Sequence, residues 1–223
     1  MAKVYLSPSD QESNVYAYDN TNEAVQCGRI AEACRAALER SGVEVKVGHM
    51  ISMAQKCSES NAFGADLHVP IHTNAFNGKV MGTRMFCYSA GGKGMAACKA
   101  IFARLAPITP GESENIQVNA DYYEVRVPAA PTAYIECEFH DAVEGAKWIV
   151  ENTVLIGETI ARGICDYFGV TFKEPEQPKP AKPVTTDTLY RVQVGAFAVR
   201  ENAEKMLARL KAAGFEGFIR EGK

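Results

Sequence analysis

Short apolar runs alternate with longer segments of helical periodicity along the chain up to residue 172. Apolar runs bounded by polar turn residues predict strands at residues 3–7, 44–47, 66–73, 83–89, 122–127 and 132–139. Apolar positions that recur at i, i+3 and i+4 predict helices at residues 23–40, 52–61, 93–105 and 143–167. This alternation indicates strands that are joined by helices.

The first predicted helix has clear signals at both ends. Asn22 or Thr21 stands where a side chain can cap the first backbone N–H groups, and Gly42 follows the last turn. Glu23 opens the helix, where the macrodipole favours an acid. A defined start matters because it fixes which residues lie beside the preceding strand.

The pattern predicts an α/β fold, a three-layer sandwich in which helices flank a mostly parallel twisted sheet of about six strands. In an open α/β sheet, binding sites form beyond the carboxyl ends of the strands. Polar residues at that edge therefore have more weight as functional candidates than polar residues elsewhere.

A proline-rich stretch separates this main domain, residues 1–172, from a short tail. Residues 173–188 have almost no apolar side chain, which is typical of an extended linker. The prolines there are Pro175, Pro178, Pro180 and Pro183. The tail, residues 189–223, is predicted to be a small βαβ module. The tail has seven Lys and Arg residues against four Glu, a formal net charge of +3. Residues 1–188 have 17 Lys and Arg against 23 Asp and Glu, a formal net charge of −6, so the two parts differ electrostatically.

Composition excludes several classes of function. A net charge of −3 and a pI of 5.9 give no basic surplus for nucleic acid. We expect no membrane insertion and no signal peptide, because residues 1–6 run directly into a strand and no long apolar stretch follows. The seven cysteines are never in C-x-x-C spacing, which indicates reduced, mostly buried thiols.

Three polar residues lie at the expected edge of the sheet. His72 ends the third strand, Glu23 opens the helix after the first, and Glu136 lies in the last strand. Alone, a strand-end histidine is more often a hydrogen-bonded structural residue, and Glu23 could serve the helix dipole only. Glu136 follows an apolar run, residues 133–135, where an unpaired carboxylate costs several kcal/mol. It needs a partner, a metal or a function.

Taken together, these residue types are the parts of a hydrolytic zinc site. A histidine and a glutamate are common zinc ligands, and a second glutamate nearby can act as the general base. Zinc would lower the pKa of its water and polarise a carbonyl, while the base moves the water's proton to a leaving amine. This chemistry suits hydrolysis of an amide.

Four segments in a fixed order support a family resemblance. They are Val4-Tyr5-Leu6-Ser7-Pro8-Ser9, Thr21-Asn22-Glu23, Ala65-Asp66-Leu67 with Ile71-His72-Thr73-Asn74-Ala75, and Ala133-Tyr134-Ile135-Glu136 followed by Phe139. Over residues 3–170 the chain resembles the zinc-dependent N-acetylmuramoyl-L-alanine amidases, which include clostridial and phage endolysins. The resemblance implies hydrolysis of the amide between the muramoyl lactyl group and L-alanine of peptidoglycan.

The resemblance also implies roles for individual residues. Glu23 and His72 resemble the family's carboxylate and strand-end histidine zinc ligands, and Glu136 resembles its catalytic acid/base. Asn74 would contact the substrate or support the metal site, and Arg126 is a further candidate substrate contact.

The chain departs from the family at one metal ligand. The family's remaining ligand is a histidine in the loop after the first strand, and we align Ser13 with it, a poor zinc ligand. Asp10, Glu12 or Asp19 could supply an oxygen instead, His140 could reach in from beyond the last strand, or two ligands and waters could hold a weaker ion.

His68 shares a strand face with His72, but the two are not expected to bind one ion. Four residues of strand separate them by about 13 Å, and their side chains stand nearly parallel. We interpret His68 as a structural residue or as part of the groove wall.

The tail resembles a sporulation-related (SPOR) wall-binding repeat. Its matching segments are Leu189-Tyr190-Arg191-Val192-Gln193-Val194-Gly195-Ala196-Phe197, Asn202-Ala203-Glu204 and Leu210-Lys211-Ala212-Ala213-Gly214-Phe215. The resemblance implies binding to peptidoglycan glycan strands. So short a unit has too little core to be secure by itself.

Two other functions remain open from the sequence. Loss of a metal ligand could leave a catalytically dead peptidoglycan-binding protein, or the fold could act on another acylated amine. For an active enzyme without a signal peptide, we expect synthesis in the cytoplasm and access to the wall after lysis or holin-type release.

Overall fold

In the computed structural model, a six-stranded sheet forms the middle layer of the main domain. The strands are β1 (Lys3–Pro8), β2 (Glu44–Val47), β3 (Leu67–Asn74), β4 (Arg84–Cys87), β5 (Gln117–Val118) and β6 (Tyr134–Phe139). Their order is β2-β1-β3-β6-β4-β5, and the neighbours are parallel except for β4 and β6. The predicted α/β fold with a mostly parallel sheet is confirmed, whereas β5 was not predicted.

The residues that the structure describes are 1–113, 116–175, 192–212 and 214–221. They belong to two compact units, Met1–Pro175 and Glu176–Lys223. The division falls inside the segment 173–188 that the proline pattern assigns to a linker, most of which lies outside the described residues.

Helices cover both faces of the sheet. They are α1 (Glu23–Arg40), α2 (Met53–Phe63), α3 (Lys93–Leu105), α4 (Tyr123–Arg126) and α5 (Val143–Phe168). α1 begins where predicted because the Asn22 side chain accepts a hydrogen bond from the Val25 N–H at 3.0 Å. Within the described ranges, no helix has both the length and the apolar character needed to cross a membrane.

The predicted strand at residues 122–127 is wrong, because the chain forms the short helix α4 there. A brief apolar run fits either periodicity, and tertiary contacts decide between them. In the folded chain, Val125 packs with Phe86 and Tyr134 in a small apolar cluster, and a helical turn presents it to these rings.

The two faces of the sheet differ chemically, because side chains alternate along each strand. One face packs against α1, α3 and α5. Its apolar residues include Val4, Leu6, Leu67, Val69, Ile71 and Ile135. The opposite face, called here the polar face, carries Tyr5, Ser7, His68, His72 and Glu136, and α2 and α4 contact it. The candidate site residues of β3 and β6 therefore lie together on the polar face.

The second unit contains one described helix, α6 (Arg200–Ala212). The helix of the predicted βαβ module is thus present, but residues 192–197 and 214–221 form no strand, and residues 189–191 lie outside the described part. α6 has no buried residue. Several large apolar side chains in the described part of this unit, among them Val192, Phe197, Phe215 and Phe218, are exposed. Strand pairing is not stable without a hydrophobic face that is packed against another element.

All seven cysteines are free and buried. They lie in the main domain, and the prediction that they are mostly buried is confirmed. No disulfide contributes to the stability of the main domain as the structure describes it.

Candidate active site

Glu23 and His72 form a buried pair at the carboxyl edge of the sheet. Glu23 Oε1 lies 2.9 Å from His72 Nδ1 and accepts a hydrogen bond from the Thr73 N–H at 3.2 Å. The Asn14 amide donates to the other carboxylate oxygen at 2.6 Å. Both side chains of the pair are almost completely buried. The first turn of α1 and the end of β3 thus bring together two residues that lie 49 positions apart in sequence.

Buried hydrogen bonds keep this pair charged. Burial opposes the ionisation of Glu23, but the bonds from His72 and Asn14 outweigh it and lower the pKa of Glu23. Burial also disfavours the imidazolium, yet Glu124 and Glu23 together raise the pKa of His72 to about 9. Any ion that binds at Nδ1 must therefore displace a proton.

Glu136 lies directly across the sheet from His72, as its register partner in β6. Its Oε2 atom is buried and has no hydrogen-bond partner among the described residues. Burial raises the pKa of Glu136 to about 8; the charge of His72 opposes this effect and that of Glu23 adds to it. A carboxyl group with a pKa near neutrality can both accept and deliver a proton.

Glu124 lies in the candidate site, and the sequence analysis did not single it out. It lies in α4 and is buried on the polar face. Its Oε1 accepts hydrogen bonds from the Ser7 hydroxyl and from His68 Nε2 at 3.3 Å, and its Oε2 lies 4.0 Å from His72 Nε2. Burial opposes its ionisation, but the hydrogen bonds from His68 and Ser7, together with the nearby His72 ring, hold the pKa of Glu124 well below its usual range. The sequence did contain a signal for Glu124, because this acid lies within a short apolar run, as Glu136 does.

His68 lies at the buried end of the same network. Its ring stacks on Tyr5 with centroids 5.3 Å apart, and its Nδ1 lies 3.0 Å from the Ser60 hydroxyl. Cys57, His68 and Glu124 are the one group of three His, Cys, Asp or Glu residues in the described ranges whose ligand atoms all lie within 4.8 Å. Both ring nitrogens of His68 already have hydrogen-bond partners, so we interpret His68 as a structural residue of this network.

The loop after β1 reaches the pair through amides rather than through Ser13. Ser13 is exposed, whereas Gln11 Nε2 lies 3.5 Å from His72 Nδ1 and Asn14 bonds to Glu23. Asp10 is engaged elsewhere, in an ion pair of 2.6 Å with the buried Lys56. The other acids considered for this loop, Glu12 and Asp19, are exposed.

His140 is near the pair but does not touch it. Its Nδ1 lies 3.0 Å from both the hydroxyl and the carbonyl oxygen of Thr73, and its ring stacks on Tyr16 with centroids 5.1 Å apart. Within the described residues, its side-chain hydrogen bonds go to Thr73 and not to Glu23 or His72.

The two candidate substrate residues lie at different places. Asn74 follows Thr73 at the rim, where its side-chain oxygen accepts a hydrogen bond from the Ala75 N–H at 2.9 Å. Arg126 is exposed and lines an open groove with Tyr88, Lys93 and Pro128. The groove gives Arg126 access to a ligand that need not enter the buried site.

Glu138, two residues after Glu136, gives a testable dependence of stability on pH. It is fully buried, its Oε1 accepts from the Gly82 and Phe139 N–H groups at 2.7 Å, and its Oε2 has no partner among the described residues. Burial raises its pKa from 4.5 to about 7, against the two N–H bonds. Because the folded pKa is raised, stability should be lost as the pH rises from 4.5 through 7.

We therefore expect Glu138→Gln to be more stable than the wild type at pH 8 by up to about 3 kcal/mol, with little gain at pH 4. Denaturant unfolding of both proteins at the two pH values measures this difference. An equal effect of the substitution at both values would show that Glu138 does not titrate in this range.

A profile of the N-acetylmuramoyl-L-alanine amidase family matches residues 9–166, which include Glu23, His72 and Glu136. The chain belongs to this family. It is thus a peptidoglycan hydrolase of the muramoyl-L-alanine amidase type, and the match does not favour the alternative of a catalytically dead binding protein.

Individual relatives agree with this family. The amidase is 24% identical over 226 residues to the sporulation-specific N-acetylmuramoyl-L-alanine amidase of Bacillus subtilis strain 168, covering 98% of this chain and 84% of the relative. It is also 24% identical over 226 residues to the N-acetylmuramoyl-L-alanine amidase CwlM of Bacillus licheniformis, covering 98% of this chain and 85% of the relative.

Solved structures share the fold of the amidase. The catalytic domain of CwlV from Bacillus (Paenibacillus) polymyxa var. colistinus superposes with a TM-score of 0.69 at 16% identity, covering 77% of this chain and all of that domain. An N-acetylmuramoyl-L-alanine amidase from Clostridium difficile 630 superposes with a TM-score of 0.65 at 19% identity. The match covers 75% of this chain and 97% of that structure. At such low identity the likeness supports the architecture alone.

A second profile, of the SPOR domain, matches residues 173–221 of the amidase. The match includes the segment that the proline pattern assigns to a linker. Together the two families imply that the amidase binds peptidoglycan.

Proposed function

We propose that the amidase is zinc-dependent, with the ion held by Glu23 and His72 and with Glu136 as the acid and base. One observation carries the proposal. A buried carboxyl oxygen of Glu136 has no partner among the described residues, although Glu136 lies across from a charged Glu23–His72 pair. Such a group is costly unless it serves a ligand or a reaction.

The residues present fit a divalent ion. A carboxylate and an imidazole are common zinc donors, and here their ligand atoms lie 2.9 Å apart. The amides of Gln11 and Asn14 lie on the same side and can turn an oxygen toward the ion in place of the family's loop histidine. Bound zinc would supply a Lewis acid and a water of lowered pKa.

The remaining chemistry belongs to the chain. Glu136 takes a proton from the attacking water while the oxygen of that water bonds to the lactyl carbonyl carbon. Glu136 then delivers that proton to the alanine nitrogen as the carbon–nitrogen bond breaks. The products are a muramoyl carboxylate and a peptide with a free L-alanine amino terminus.

Neighbouring residues would orient this site and its substrate. His140 holds Thr73, whose N–H donates to Glu23, so we propose a supporting role for His140 instead of metal ligation. Asn74 at the rim and Arg126 in the exposed groove are the proposed substrate contacts. We propose further that the tail binds glycan strands and that the amidase meets the wall after lysis or holin-type release.

Zinc analysis and wall digestion test the proposal together. We expect protein purified without chelator to contain stoichiometric zinc and to release free L-alanine amino termini from purified walls. Chelation should stop this release, and added zinc should restore it. Zinc-loaded protein that pellets with walls but frees no amino termini would support a binding protein and overturn the proposal.

A further inference from the structure

Glu124 links the proposed metal pair to the interior of the polar face. We propose that Glu124 is a positioning residue of the amidase site: it accepts the proton on His72 Nε2, and so leaves Nδ1 free to bind the metal beside Glu23. This inference rests on the proposed zinc function. It assigns a role to a residue of α4, outside the four segments that resemble the family.

The two nitrogens of His72 face different carboxylates. Nδ1 lies 2.9 Å from Glu23 Oε1, whereas Nε2 lies 4.0 Å from Glu124 Oε2. His72 Nε2 is buried and makes no hydrogen bond within the described residues. A buried ring N–H needs an acceptor, and a further approach of about 1 Å would bring Glu124 to hydrogen-bond distance.

Glu124 is held in place for this task. Its Oε1 accepts from the Ser7 hydroxyl and from His68, which leaves Oε2 for His72. The neighbouring Val125 packs with Phe86 and Tyr134 in a small apolar cluster, which fixes the short helix against the sheet. A carboxylate fixed by two donors can orient a third donor without losing much side-chain entropy.

The ring plane of His72 is fixed as well. Tyr134 stacks on it with centroids 4.8 Å apart and planes 17° apart. Stacking prevents the ring from tilting, while a carboxylate at each edge determines which nitrogen carries the proton. Metal-binding histidines commonly donate their second ring N–H to a carboxylate in this way, and losing that partner typically weakens metal binding about 10- to 100-fold.

Two variants separate this role from general effects on the fold. Glu124→Gln keeps the shape of the side chain but removes its charge, and we expect zinc to bind roughly 10- to 100-fold more weakly with unchanged stoichiometry. Glu59→Gln is the matched control, because Glu59 also covers the polar face, accepting from the Tyr5 hydroxyl at 3.2 Å, but has no contact with His72. Competition with a chromophoric chelator measures the zinc affinity of both variants.

A spectroscopic readout on the wild type keeps the test independent of how well the variants fold. In the zinc-loaded wild type, nitrogen-15 NMR of the histidine rings should show His72 protonated at Nε2 and metal-bound at Nδ1. The reverse assignment would overturn the proposal, as would wild-type zinc affinity in Glu124→Gln. Complete loss of zinc in a folded Glu124→Gln would also overturn it, in favour of direct ligation.

Failure of this inference differs from failure of the proposed function. If the wild type binds zinc and releases L-alanine amino termini but Glu124→Gln behaves like Glu59→Gln, the Glu124 role alone is wrong. If the wild type neither binds zinc nor cleaves walls, the zinc-dependent function is wrong and the Glu124 role falls with it.

Discussion

Glu136→Gln is expected to reduce the release of L-alanine amino termini from walls roughly a hundred- to ten-thousand-fold, while zinc content and wall binding stay at wild-type levels. Glutamine matches the shape of the side chain but cannot accept the proton of the attacking water. The wild-type group is suited to this transfer because burial raises the pKa of Glu136 to about 8, so that near neutral pH the carboxyl group can both accept and give up a proton.

Glu144→Gln is the control for this prediction. Glu144 lies in the first turn of α5, just beyond the same strand, and is exposed, so the same chemical change there should leave hydrolysis intact. A Glu136→Gln protein that retains a tenth or more of wild-type activity would exclude Glu136 as the group that moves the proton.

Glu23→Gln is expected to abolish stoichiometric zinc and, with it, wall hydrolysis. The substitution removes one of the two proposed ligands and should weaken binding by more than the hundredfold that the loss of an outer partner causes. It should also allow His72 to lose its proton more readily, because a carboxylate that stabilises the imidazolium is gone. Elemental analysis of the purified variant measures the zinc content.

Two further variants are controls for the zinc content of Glu23→Gln. Glu12→Gln changes an exposed acid of the loop after β1 and should keep its zinc. His140→Ala should also keep zinc, because the hydrogen bonds of His140 go to Thr73. A zinc-free His140→Ala protein that is otherwise folded would instead make His140 a ligand, as the sequence allowed.

The architecture was predictable where local signals were strong. Asn22 caps α1 and an apolar face with helical periodicity follows, so the bounds of α1 at residues 23–40 agree with the prediction. The edge rule for parallel strands, together with the family resemblance, suggested that Glu23 and His72 would meet. Their contact across 49 residues is a consequence of strand order.

The rest of the site depended on information that is not local. Residues 122–127 were short enough to fit a strand, and only packing of Val125 against the sheet selects a helix. Because a strand was predicted where the chain forms α4, the sequence could not indicate where the Glu124 side chain points. The loop after β1 posed a similar problem, because the path of the loop cannot be read from its sequence. In the fold Gln11 and Asn14 contact His72 and Glu23, whereas Asp10 pairs with Lys56.

The buried cysteines have a consequence for an enzyme whose substrate is the cell wall. The reactive form of cysteine is the thiolate, and burial raises the pKa of every cysteine of the main domain, that of Cys57 to about 11. Oxidants outside the cytoplasm therefore meet thiols that are shielded and rarely ionised. Oxidative damage at these seven positions should therefore be slow while the domain stays folded.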